Sequence, residues 1–211
     1  MRIFAPLPLL VAVATLAAAC TSTSRSGATT NAAPMGDVIA PDSGEAHIAN
    51  IRQLTNGGEN AEAYFSADGQ WITFQSTRDG RTCDQQYVMR RDGSGLTKVS
   101  VGGKTTCGWF LPGSQRLFFA STHAADSVCP VKPDPSQGYV WGIDPFDIYT
   151  VGRDGKDLKR LTNYGVYTAE GVLSPDGTSI VFTSLKDGDL DIYTMNIDGT
   201  NTLACTKSCD E

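Results

Sequence analysis

The chain has 211 residues, 40% of them hydrophobic and 19% charged, with a net charge of −6. That balance suits one soluble globular unit and leaves no room for two sizeable domains. It excludes a nucleic-acid binder, which needs a basic face to neutralise phosphates, and no basic cluster occurs anywhere in the chain.

Arg2 precedes an uncharged run from Ile3 to Ala19, mostly Ala, Leu and Val. A basic start followed by an apolar stretch is the layout of a secretory signal, and Pro6 and Pro8 argue against a spanning helix. The run ends Leu16-Ala17-Ala18-Ala19-Cys20. This resembles the lipobox of bacterial lipoproteins, which implies that residues 1–20 are a signal and that Cys20 is the lipidation site. The lipobox leucine stands here at Leu16, four positions before the cysteine. Thr21 follows where inner-membrane retention signals carry Asp, so the resemblance implies a periplasmic protein anchored at the inner leaflet of the outer membrane. Residues 21–50 are rich in Ser, Thr, Ala, Gly and Pro. They cannot bury enough surface to offset their ordering entropy and read as a disordered tether.

From residue 51 the sequence repeats. Phe74, Phe119 and Phe182 recur at intervals of 45 and 63 residues, followed by Ser76, Ser121 and Ser184 and then by Tyr87, Tyr149 and Tyr193. Ile72/Phe74, Leu117/Phe119 and Ile180/Phe182 alternate with other residues, as strands do. Turns are marked by Asp68-Gly69, Asp92-Gly93, Pro112-Gly113, Asp154-Gly155, Asp176-Gly177 and Asp198-Gly199. Glycine there supplies positive φ at no steric cost, which closes hairpins. Four short strands per unit of this length is the grammar of a β-propeller blade. The predicted fold is all-β, a propeller of four-stranded antiparallel blades with about three blades present. Blade one covers about 54–100, blade two 101–162 with an insertion at 123–146, and blade three 163–205.

The wording Gly171-Val-Leu-Ser-Pro-Asp-Gly177 with Asp191-Ile-Tyr-Thr-Met-Asn-Ile-Asp-Gly199 closely resembles the TolB-type propeller repeat, and the match extends over residues 52–203. The same repeat builds propellers of prolyl oligopeptidase-type peptidases. The resemblance implies a non-catalytic scaffold in the cell envelope that engages a protein or glycan through one propeller face. The alternative it leaves is the propeller part of such a peptidase without its hydrolase domain. No Gly-x-Ser-x-Gly elbow, phosphate loop or zinc-protease motif occurs, so no catalytic residue and no cofactor are expected.

Five cysteines remain beyond Cys20. An oxidising compartment makes disulfides the default. Blade geometry gathers Cys83, Cys107 and Cys129 at one end, where Cys107–Cys129 is the preferred bridge and Cys83–Cys107 the alternative. A zinc site from these three with His123 lacks a close-spaced ligand pair. Asp187, Asp189 and Asp191 resemble the start of a calcium loop, but Ile192 stands where that loop needs glycine, and a turn accounts for them equally. The insertion carries four prolines with Tyr139 and Trp141, and His123 opens it. It reads either as a preorganised binding surface or as a lid over its own blade.

Three blades are too few to close a ring, which takes about four to eight. Either the chain is a truncated product or fragment of a longer propeller, which is the preferred reading, or two or more copies assemble into one ring. The sheets bearing Phe74 and Phe182 are expected to leave apolar faces open, and with them a route to self-association.

Overall fold

The computed structural model describes residues 36–138 and 142–205. Cys20, Cys209, Tyr139 and Trp141 lie outside the described residues. Two short strands come first, β1 (Val38–Ile39) and β2 (Ile51–Arg52), paired antiparallel. Val38–Ile39 falls inside the segment read as a tether. Blade one then comprises β3 (Asn60–Phe65), β4 (Trp71–Ser76), β5 (Gln85–Arg90) and β6 (Thr97–Lys98). Blade two comprises β7 (Thr105–Phe110), β8 (Arg116–Ser121), β9 (Asp147–Gly152) and β10 (Lys159–Arg160). Blade three comprises β11 (Thr168–Leu173), β12 (Ser179–Ser184), β13 (Asp191–Asn196) and β14 (Leu203–Ala204). Every pairing is antiparallel between neighbours in sequence; tight Asp-Gly and Pro-Gly turns close the hairpins of the first two and last two strands of each blade, and longer loops join the second strand to the third. Among the described residues no helix is long and apolar enough to cross a membrane.

The core lies between blades. Val88 and Val99 of blade one pack with Phe110, Leu117, Phe119, Tyr149 and Val151 of blade two. Phe118 and Ile148 of blade two pack with Ile180, Phe182, Tyr193 and Met195 of blade three. Gly108 and Gly171 permit these approaches: a Cβ would lie 2.1 Å from the Gln86 amide nitrogen and 2.8 Å from the Phe118 ring. Blade one stacks on blade two and blade two on blade three, and the arc is not closed.

The expected open faces are corrected by this stacking. Period-two alternation sends the repeat's Phe and Tyr toward the preceding blade in every case. Phe182 therefore meets blade two and is 1% exposed, while Phe74 is 2% exposed beneath Leu54 and the Arg78 side chain. The face left open is the opposite one of blade three, where Val172, Ile192 and Leu203 are 41%, 49% and 59% exposed.

One tether within each blade explains the repeat's wording. The Tyr87 hydroxyl donates to Asp79 at 3.1 Å and that of Tyr193 to Asp187 at 3.0 Å, locking the loop between the second and third strands. A cation covers each ring, Arg78 at 5.3 Å and Lys186 at 4.9 Å. Blade two has Ala124 at the aspartate position. Its Tyr149 hydroxyl is buried without a hydrogen-bond partner, and burial pushes that phenol up to about 12. Tyr193→Phe should thus cost about 1 kcal/mol, whereas Tyr149→Phe, which removes a buried unpaired hydroxyl, should be neutral or stabilising by a similar amount. Urea titrations of both variants check this, and equal losses would contradict it.

Candidate functional site

The innermost strand of each blade carries a β-bulge at the same place. Its register shifts between Ala61 and Tyr64 in β3, between Thr106 and Trp109 in β7, and between Ala169 and Val172 in β11. The bulged residues Glu62, Cys107 and Glu170 have φ of 52°, 52° and 57°. This left-handed backbone takes each out of the ladder. All three border one cavity of 340 Å³, shared with Asp84, Lys104, Phe146 and Tyr167.

Within it Glu170 is held from two sides. It accepts from the Tyr167 hydroxyl at 2.8 Å and from the Cys107 thiol at 3.2 Å. Burial, with the Glu170 charge beside it, pushes the Cys107 thiol up to about 12, so the sulfur stays protonated at neutral pH. Tyr64 donates to Glu62 and stacks on Trp109 at 4.1 Å between ring centres, which ties blade one to blade two at the axis. Asp84, bonded by the Gln75 amide at 3.1 Å, has its carboxyl raised by burial and by the charge of Glu59.

The insertion forms the outer wall. At its start Cys129 is bonded to Cys83, with Cα atoms 5.6 Å apart. At its end Phe146 is 2% exposed, packed with Ala120, Tyr167 and Ala169. Lys104 binds Asp144 at 2.9 Å and lies 5.6 Å above the Phe146 ring. Between these anchors run Pro130–Pro135 and a short 3₁₀ turn at Pro135–Gln137, capped by Asp134. Pro130, Val131, Lys132 and Pro133 face a second cavity of 530 Å³ toward blade one. Val131 is 95% exposed.

The cysteine pairing differs from the expected Cys107–Cys129 bridge and from the Cys83–Cys107 alternative. The bulge turns Cys107 toward Glu170, leaving Cys83 and Cys129 to meet each other. With those two joined, the zinc set is not assembled. Among the described residues no three His, Cys, Asp or Glu side chains stand close enough to share an ion. Asp187, offered for calcium, pairs with Lys186 at 3.1 Å besides accepting from Tyr193. His123 stacks on Tyr149 at 4.2 Å and its Nδ1 bonds Ser121 at 3.1 Å, so it takes the ring-covering role of Arg78 and Lys186. Burial lowers its pKa, with the Arg160 charge adding to the shift. Glu62 and Glu170 were missed in the sequence; a carboxylate at the same position of two inner strands was the signal.

Three four-stranded blades stacked face to face about an axis define the β-propeller class. No family model matches the chain. Among solved structures it is similar to a protein assigned as TolB from Agrobacterium tumefaciens, with 22% identity and a TM-score of 0.55, over 72% of this chain and 51% of that one. TolB from Acinetobacter baumannii gives 17% and 0.51, over 72% of this chain and 34% of that one. Hydrazine synthase from Kuenenia stuttgartiensis gives 15% and 0.53, over 72% and 26%. These likenesses establish the TolB-type propeller fold. The chain spans about half of the Agrobacterium protein and about a third of the Acinetobacter one.

Proposed function

We propose that the chain is a non-catalytic TolB-like scaffold of the bacterial cell envelope that engages a protein or glycan through the propeller end carrying the insertion. The observation that supports this most is the double anchoring of the insertion, by Cys83–Cys129 and by Phe146, beside the axial Glu62, Cys107 and Glu170. A wall fixed at both ends next to inward-facing polar groups is a preorganised recognition surface. Two of the reactive side chains among the described residues are otherwise occupied. Cys107 is held as a thiol, and His123 is taken up by Tyr149 and Ser121. A periplasmic location accords with the TolB likeness, and a lipid anchor with the lipobox-like start.

A photo-crosslinking residue at Val131 tests the reading, with the same residue at Asp198, in the turn at the other end of the strands, as control. A discrete adduct with one envelope component from position 131 and none from 198 is expected. Equal labelling from both ends, or none, would overturn it. Cys20→Ala should leave the precursor unprocessed and shift the protein out of the membrane fraction; normal maturation would remove the lipid anchor from the proposal.

A further inference from the structure

The cavity at the axis is short of positive charge. Three carboxylates border it, Glu62 from β3, Asp84 from the loop before β5 and Glu170 from β11. The cation on its wall, Lys104, is already paired with Asp144 at 2.9 Å. Among the described residues no ion pair engages Glu62, Asp84 or Glu170. Their bonds come from neutral donors: Tyr64 to Glu62, the Gln75 amide to Asp84, and Tyr167 with Cys107 to Glu170. An ionised carboxyl can accept more bonds than these. Gln75, on the same wall, keeps its Oε1 buried without a hydrogen-bond partner, one more acceptor than the chain supplies donors for. Glu170 and Tyr167 also border a second cavity, of 370 Å³, whose other walls are Ile143, Thr183 and Leu190. Ile143 and Leu190 are 55% and 56% exposed. An acidic pocket and an apolar notch thus meet at one carboxylate, on the end that carries the insertion.

We propose that the partner is a protein and that it seats an arginine side chain in the axial cavity, with a neighbouring apolar side chain of its own in the notch. The inference deepens the binding role proposed above and rests on it. Charge complementarity selects a cation. Among the described residues no three acids stand close enough to share a metal ion, so the positive charge must be spread over several donors. A guanidinium presents its N–H donors in one plane and takes an aromatic ring against its face, and Phe146 and Tyr167 line this cavity. The volume of 340 Å³ lies at the small end of the range for ligand pockets, roughly 300–1,000 Å³, and suits one side chain rather than a folded segment. A glycan would bring hydroxyl groups, which leave the carboxylate charges unpaired.

Calorimetric titration of the full chain with the blocked dipeptide acetyl-Arg-Leu-amide tests it. Saturable binding of a single peptide per chain is expected. The citrulline counterpart, of the same shape without the charge, should bind about tenfold more weakly or worse. Glu170→Gln and Glu62→Gln should each weaken the arginine peptide by about tenfold, whereas Asp198→Asn, which removes an equal charge at the other end, should not. Equal binding of the two peptides, or none at millimolar concentration, overturns the proposal. A loss as large in Asp198→Asn also overturns it, as general attraction to an acidic chain. The adduct at position 131 keeps the two readings apart. An adduct without arginine preference leaves the binding end standing and removes its chemistry. Peptide binding that Glu170→Gln abolishes, with no adduct, removes the protein partner and leaves the cavity as a site for a free guanidinium.

Discussion

Phe118→Ala is expected to cost about 3–5 kcal/mol, the range for deleting a buried aromatic ring without collapse of the site. Phe118 is fully buried at the junction of blades two and three, against Ile180, Phe182 and Tyr193. The backbone there is held by ladders on both sides of β8, so the sheet cannot close over the hole. A loss of that size is a large fraction of the roughly 5–15 kcal/mol that holds a typical domain together. The measurement is a chemical denaturation midpoint with unchanged slope. Gly171→Ala provides the cross-check. Alone it should destabilise, because its methyl group would lie 2.8 Å from the Phe118 ring. Combined with Phe118→Ala it should restore part of the loss, since the methyl then fills vacated space. Simple additivity of the two would show that the ring and the glycine do not share the contact described.

Removal of the Cys83–Cys129 bridge should have the second large effect. The bond spans 46 residues, and the chain-entropy relation gives about 4 kcal/mol for a loop of that length. Cys83→Ser with Cys129→Ser should lower the melting temperature and also release Pro130–Pro133 from the cavity they border. The adduct formed from position 131 should weaken in that background even at temperatures where the blades stay folded. Non-reducing peptide mapping of the native chain should recover Cys83 joined to Cys129. Recovery of Cys107 joined to either would contradict the pairing.

The blades were legible because two local signals agree in each of them. Alternation such as Ile72/Phe74 gives strand and side, and the Asp-Gly pairs give the turns. Which neighbour each side meets was not legible. Ile180 and Phe182 read as one apolar face whether they look backward or forward along the ring, and the direction is set only by how successive sheets stack. The cysteines failed for a related reason. Their common end of the blade could be inferred, but the bulge that swings Cys107 onto Glu170 depends on backbone geometry that Thr106-Cys107-Gly108 does not announce. The roles of Tyr87 and Tyr193 were hidden too, because the letters Arg-Asp-Gly suggest only a turn. The hydrogen bond from the ring to the aspartate joins residues eight and six positions apart.

The bulges carry a consequence for how such a molecule can change. Glu62, Cys107 and Glu170 each stand outside the pairing of their strand, so their identity is not set by the ladder; what constrains them is the side-chain bonds they make, from Tyr64 to Glu62 and from Tyr167 and Cys107 to Glu170. Each blade therefore contributes one letter to the axis that can be rewritten with little cost to the scaffold, provided the residue tolerates a left-handed backbone. The axial vocabulary here reads acid, thiol, acid. A lineage built on this repeat can alter what it recognises through single substitutions at these three places, and the cores that give the blades their stability would not register the change.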